Sequence, residues 1–278
     1  MKGRTSRRIG AWSLPAYLVA FFIYLEAPLI VIFLASFNDQ LTVRFPPTGF
    51  SLQWYQALWE TAMDAPGSKP GLLDAIATSI WLGLVTMVGA VCSGVLAAFA
   101  LNRSRFAGRE FFRQLFLLPL LFPQVVVGIG LLIWFSQIGS VPTWLRLVTG
   151  HLILTLPYVI ITTIASLEIF DRRLEEAAMN LGAGPFATFW YVTLPSIKPG
   201  IISGAIFAWL TSFSNFTVTF FLYSGEITPL PPWLFEVMQH FVDPSIAALS
   251  TFLVALTLAV LVIINRMFAL GRVVGLRR

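Results

Sequence analysis

The sequence predicts an all-α integral membrane protein with six transmembrane helices. Three observations carry this prediction. Hydrophobic residues make up 57% of the 278 residues and charged residues only 11%, where a soluble domain carries about a quarter charged. The hydrophobic residues gather into six runs, each long enough for the ~20 residues that a membrane-spanning helix needs. The basic residues between those runs fall almost entirely in alternate segments, which gives the chain one orientation.

Met1 to Gly10 carries Lys2, Arg4, Arg7 and Arg8 ahead of the first run, Trp12–Phe37. A cleavable leader opens the same way, but its apolar core is shorter and ends in small residues. The run is therefore read as an uncleaved first span. Glu26 within it is an intramembrane carboxylate, facing the bundle and hydrogen-bonded or serving transport. The segment Asn38 to Pro70 is polar and proline-rich. Leu52, Tyr55, Leu58 and Trp59 recur in it at helical spacing and predict an amphipathic helix at the outer surface.

The second span is Leu72–Leu101, whose first turns around Asp74 project outside the membrane. It is followed by a loop with Arg103, Arg105, Arg109 and Arg113. The third span, Leu115–Phe135, contains Pro119, Pro123, Gly128 and Gly130 and is expected to be kinked and closely packed. Gln124 within it needs a hydrogen-bonding partner. The fourth span is His151–Phe170, with His151 as a satisfied histidine at the outer boundary. The fifth is Ile201–Tyr223 and the sixth Ser245–Asn265, with a short interfacial helix expected between Trp233 and Phe241. Arg266, Arg272, Arg277 and Arg278 close the chain.

Between the fourth and fifth spans lies Asp171–Gly200, a polar break of a length that a bare connector does not need. Asp171 can cap a helix. Leu174, Ala177, Ala178 and Leu181 form one apolar helical face. Gly182 and Gly184 stop that helix, and Pro185 opens a second short one. Leu194-Pro195 and Pro199-Gly200 are expected to end it. The reading is a helix–turn–helix elbow outside the membrane.

Four basic residues precede the first span, four follow the second, three lie in the elbow and four in the tail, so fifteen of the eighteen share one side. Arg44, Lys69 and Arg146 are the exceptions. Basic segments stay in the cytoplasm, which places both termini and the elbow there and requires an even number of spans. The same placement explains the net charge of +5 without a nucleic-acid partner. Cys92, the single cysteine, sits in an apolar run as a small buried hydrophobe; it can build no disulfide framework or zinc site.

No phosphate-cradling Gly-x-x-x-x-Gly-Lys-Ser/Thr occurs, and no metal-ligand cluster or nucleophile elbow. The chain is read as a non-enzyme without a cofactor of its own. A polar stripe remains in the fifth span: Thr211, Asn215 and Thr219 at helical spacing, flanked by Ser212 and Ser214. Such groups need partners in hydrocarbon. Interhelical hydrogen bonding and lining of a solute path both satisfy that need.

The elbow carries a resemblance. Glu176-Ala177-Ala178, then Gly182, then Val192 with Leu194-Pro195, resembles the EAA loop of ABC-importer permeases. The family pattern is Glu-Ala-Ala, three residues, Gly, nine residues and Ile-x-Leu-Pro; Val192 stands at the Ile position. The similarity extends over nearly the whole chain. It looks most like the smaller permease subunits of polyamine, opine and related importers in bacterial inner membranes. The resemblance implies a type I importer fold forming one permease domain over residues 1–278. It also implies a second permease in a heterodimer, with a homodimer as the alternative, an ATPase dimer that binds the ATP, and a periplasmic binding protein. Glu175, Glu176, Ala177, Ala178, Gly182, Leu194 and Pro195 would then couple the chain to the ATPase. Thr211, Ser212, Ser214, Asn215 and Thr219 would border the solute path. Polyamine permeases tend to read Ser-x-Asp-Asp/Glu-Phe where this chain has Ser212-Phe213-Ser214-Asn215-Phe216, without the carboxylates. A less cationic solute, such as an opine or amino-acid derivative, is expected. The rival class is a self-contained ion-driven transporter or channel; it would place ionisable groups at mid-membrane, where this chain offers only Glu26.

Overall fold

The computed structural model describes residues 3–40, 46–47, 49–63, 71–240 and 245–275. They are mostly helical. The helices are α1 (Gly3–Ala35), α2 (Gln53–Met63), α3 (Leu72–Arg103), α4 (Arg109–Leu121), α5 (Gln124–Ile138) and α6 (Thr143–Ile169). They continue with α7 (Arg173–Asn180), α8 (Pro185–Thr188), α9 (Leu194–Phe213), α10 (Thr217–Leu222), α11 (Leu230–His240) and α12 (Ser245–Gly275). The chain forms two compact units, Met1–Asp64 with Met238–Arg278, and Ala65–Val237. Lys2, Arg44, Lys69, Arg277 and Arg278, which enter the charge asymmetry, and Phe241 lie outside the described residues.

In the first unit α12 packs against α1 and α2. The side chains of α1 from Leu14 to Phe33 are largely exposed and mostly apolar; Glu26 is exposed among them and does not face a bundle within this unit. Pro15 and Pro28 lie inside α1 without ending it. The amphipathic helix expected around Tyr55 is α2. It buries Trp54, whose Nε1 donates to the Asn38 carbonyl at 2.7 Å, and leaves Trp59 exposed; Leu52, also exposed, lies just before it.

The second unit is built on α3, α6 and α9, which all pack against one another. Hydrophobic burial does not drive helices together in lipid, so close approach through small residues must. Ala90, Ala98 and Ala208 are fully buried at these contacts. A Cβ on Gly94 would lie 2.9 Å from Val159 Cβ, and one on Gly200 would lie 2.5 Å from the Thr162 carbonyl oxygen. Gly200 faces Thr162 and Ser166 while Gly204 faces Val159, so α9 runs antiparallel to α6. Ala98, Leu101, Ile160, Ile164, Leu167 and Ile197 pack the end of this bundle nearest α7. Leu82, Phe135, Leu147, Leu154, Val218 and Leu222 pack the other.

Several expectations need correction. The third span is not one kinked helix: α4 and α5 meet at 106°. Pro123 disfavours helix at the residue before it, and Phe122 is extended, with φ −87° and ψ 142°. The fourth span begins at Thr143, directly after Pro142, so His151 lies two turns inside α6 and is buried rather than interfacial. The fifth span is interrupted between Phe213 and Thr217. The elbow does not end at Leu194-Pro195 or Pro199-Gly200, because α9 starts at Leu194 and runs through Pro199. Cys92 is exposed, not buried. Among the described residues Leu14–Ala35, Leu72–Arg103 and Thr143–Ile169 are each long and apolar enough to cross a membrane, and the bent pair α4–α5 could form a fourth crossing.

Candidate functional site: the elbow and the polar cluster

The elbow is assembled by local rules that its sequence obeys. Asp171 Oδ1 accepts the Arg173 N–H at 3.0 Å, and Glu175 and Glu176 occupy the first turn of α7, where carboxylates favour the positive helix end. The C-terminus closes as a Schellman motif. Ala183 N–H bonds the Ala178 carbonyl at 3.0 Å, and Gly182 N–H bonds the Met179 carbonyl at 2.9 Å. Gly182 takes φ +89°, the left-handed conformation that the motif requires. Gly184 does not share this role; it is extended (φ −70°, ψ 165°) and leads into Pro185 at the start of α8.

A π-helical turn, Phe189–Thr193, joins α8 to α9. Pro195 is the reason. In an α-helix its ring would strike the carbonyl four residues back and its missing N–H would orphan that group. The turn widens just ahead of Pro195, with Leu194 N–H reaching the Phe189 carbonyl five residues back. Leu194-Pro195 therefore sets how the elbow enters the fifth span instead of ending it.

The apolar face expected on α7 is turned away from the chain. Leu174, Ala177 and Leu181 are exposed and only Ala178 is half-buried. Leu181 is 89% exposed, Tyr191 81% and Phe186 76%, so three large apolar side chains of the elbow are uncovered. Glu176 and Pro195 are exposed beside them.

Glu175 faces the other way. Its carboxylate receives two bonds from the Arg103 guanidinium, Nη1 to Oε2 at 2.6 Å and Nη2 to Oε1 at 3.0 Å, and one from the Thr193 hydroxyl. The guanidinium lies over the rings of Phe170 (5.7 Å) and Phe99 (6.0 Å). Burial pushes the Glu175 carboxyl up, but hydrogen bonds from Arg103 and Thr193 with the charges of Arg103 and Arg172 outweigh it, so its pKa falls below 4.5. A carboxyl group lowered in this way stabilises the fold above its ordinary pKa and loses that contribution as pH falls through the folded value. Hydrogen-exchange protection of α7, corrected for intrinsic rates, should hold from neutral pH down to 4.5 and fall only below it. Loss of protection near neutral pH would contradict this. Arg103 and Thr193 were invisible to motif reading: Arg103 lies 72 residues from Glu175, and nothing local distinguishes it from the other loop arginines.

The polar residues of the fifth span divide at the helix break. Ser212 Oγ lies 2.7 Å from His151 Nδ1, and Thr219 Oγ1 lies 3.0 Å from His151 Nε2. Asn215 Oδ1 accepts the Val218 N–H at 2.9 Å and so caps α10; Asn215 Nδ2 donates to Gln124 Oε1 at 2.9 Å. Ser212, Asn215 and Thr219 are buried in this network, which joins α5, α6, α9 and α10. Thr211 is half-buried and Ser214 exposed, with the Ser214 hydroxyl returned to the Leu210 carbonyl. Because the helix breaks at 214–216, Thr211, Asn215 and Thr219 do not form one continuous helical face. His151 and Gln124 complete the cluster; their signal was a lone polar side chain in an apolar run.

Residues 89–274 match a family described as the binding-protein-dependent transport system inner membrane component. The chain belongs to this family. It is a permease component of an ABC importer, of the bacterial inner-membrane kind. The chain is 31% identical over 237 residues to the putrescine transport system permease protein PotI of Escherichia coli (strain K12), covering 83% of this chain and 81% of that one. It is 29% identical over 261 residues to the spermidine/putrescine transport system permease protein PotC of the same organism, covering 93% and 94%. A permease protein assigned to 2-aminoethylphosphonate transport, PhnV of Salmonella paratyphi A (strain ATCC 9150 / SARB42), is 29% identical over 253 residues, covering 89% and 91%. Among solved structures, a chain of a bacterial ABC transporter involved in the import of the acidic polysaccharide alginate superposes with a TM-score of 0.66 over 95% of this permease and 98% of that chain. At 18% identity that likeness speaks for the fold alone.

Proposed function

We propose that this permease forms the solute path of an ATP-driven importer together with a second, related permease, and that its elbow rests on one subunit of an ATPase dimer. A periplasmic binding protein delivers the solute. ATP is bound by the ATPase, and the permease contributes no cofactor. The observation that carries this reading is the elbow: Leu181, Phe186 and Tyr191 stand exposed on a turn closed by Gly182, beside the exposed carboxylate of Glu176. A rigid, apolar-tipped lever with an acidic residue suits insertion into a groove of a partner with basic groups.

The chain works as one permease domain over residues 1–278. Its six spans correspond to α1, α3, the bent pair α4–α5, α6, the interrupted pair α9–α10, and α12, with both termini and the elbow in the cytoplasm. Closure of the ATPase dimer moves the elbow, and the spans rock between inward-open and outward-open states as a two-state rigid-body change.

The solute is a small polar organic molecule of the polyamine, opine or amino-acid-derivative class that carries less positive charge than spermidine. Ser214 and Asn215 stand where carboxylates would stabilise a polycation in a low-dielectric path. Ser214, Thr211 and the interrupted backbone at 214–216 border the path, while Ser212, Asn215 and Thr219 shape it from behind. The names of PotC and PotI point to polyamines and that of PhnV to a zwitterionic phosphonate, so the test sets the two classes side by side. The permease, expressed with its partners, should co-purify with an ATPase and a second permease. In proteoliposomes with the binding protein it should take up an opine or 2-aminoethylphosphonate in preference to spermidine. Strong spermidine uptake would reject the solute class, and absence of an ATPase from the purified complex would reject the proposed docking on an ATPase.

A further inference from the structure

The Glu175 carboxylate joins two elements that carry spans, and its own helix continues from a third. Arg103 is the last residue of α3, and Thr193 ends the π-helical turn that feeds α9. α6 leads into α7 across only Phe170, Asp171 and Arg172. The three helices that form the centre of the second unit are thus tied to α7, two through one side chain and the third through the backbone. Resting on the docking role proposed above, we infer that Arg103, Glu175 and Thr193 form a clamp whose task is positioning: it makes the elbow move as one body with α3, α6 and α9, so that displacement of the elbow becomes displacement of the spans.

The geometry favours this over a surface ion pair. The guanidinium fork meets the carboxylate at both oxygens, the side chains of Arg103 and Glu175 are only 19% and 17% exposed, and two aromatic rings hold the guanidinium plane. Arginine in such a fork is pre-organised and resists sliding, which a lysine would not. Glu175 and Glu176 are neighbours with opposite duties: Glu175 faces its own chain and Glu176 faces outward. Without the clamp, α7 would keep its backbone links to α6 and, through the Gly182 turn, to α8 and α9, but its side-chain tie to α3 would be gone. The ATPase could then move the elbow without moving α3.

The test uses the assembled importer with Arg103→Glu, Glu175→Arg and the two together. Each single variant should still co-purify with the ATPase and hydrolyse ATP. The solute carried per ATP should drop about tenfold, within the usual range of coupling between sites. The double reversal should recover most of it. Thr193→Val should lower the same ratio and Thr193→Ser should leave it intact, which supplies a reading if a charge variant fails to fold. In the full-length permease with Cys92→Ala, spin labels at the exposed positions Ala100 on α3 and Asn180 on α7 report the clamp without any ATPase. Their distance distribution should be narrow in the parent, broad in each single charge variant and narrow again in the double reversal. Two results would overturn the inference: single variants with normal solute per ATP, or a double reversal as impaired as its parents while the complex stays assembled. The docking role itself fails separately, through a wild-type permease that binds no ATPase.

Discussion

Replacing Gly182 by valine is expected to leave the permease inserted and folded but to abolish solute-stimulated ATP hydrolysis by the importer. Gly182 sits at φ +89° with no atom within 4 Å of where a Cβ would go, so the cost is conformational and local. A β-branched residue in the left-handed region costs about 1–2 kcal/mol. That is too little to unfold a packed bundle. It is enough to open the Schellman closure at Ala183 and Gly182 and to re-aim α8, with Phe186, relative to α7. Glu176→Lys should reach the same endpoint by charge alone, because Glu176 is exposed. Measurement of ATP hydrolysis with and without loaded binding protein decides it. Normal stimulation in both variants would refute the coupling role of the elbow.

Gly200→Val acts through packing instead. Its Cβ would fall 2.1 Å from Ser166 Oγ and 2.5 Å from the Thr162 carbonyl oxygen. The serine could rotate away, but the carbonyl belongs to the backbone of α6 and cannot yield without shifting the helix. Overpacking of this kind costs about 3 kcal/mol. The variant should lower the midpoint of thermal unfolding and the yield of monodisperse permease in detergent. Gly184→Ala, at an open and extended position, should change neither. Equal stability of Gly200→Val and the parent would contradict the close crossing of α9 on α6.

Much of the elbow was legible because its signals are local. Asp171 at a helix start, carboxylates in the first turn, Gly182 at the turn and Pro185 at the next start each impose a conformation on their own neighbours. The helix break at 214–216 was not legible, since the segment Ser212-Phe213-Ser214-Asn215-Phe216 contains no glycine or proline. It breaks because Asn215 turns its side-chain oxygen to the N–H groups of α10, and that choice depends on Gln124, 91 residues away, holding the other end of the amide. The early start of α6 was written in Pro142-Thr143, but hydropathy alone centred the span further on. The apolar face of α7 illustrates a different limit. Periodicity shows that Leu174, Ala177, Ala178 and Leu181 share a face, yet it cannot say whether that face packs inside the chain or waits for another one. Arg103 was the residue least accessible to reading, because its partner is set by how α3 ends against α7.

The role proposed for the elbow is to dock the ATPase. A photo-reactive amino acid placed at Leu181 or Phe186, both exposed, tests it in intact cells that express the whole importer. Irradiation should link the permease to the ATP-binding subunit from both positions, and not from Gly225, which the proposed topology puts on the opposite side. Adducts to the ATP-binding subunit from Gly225, with none from Leu181 or Phe186, would contradict the account.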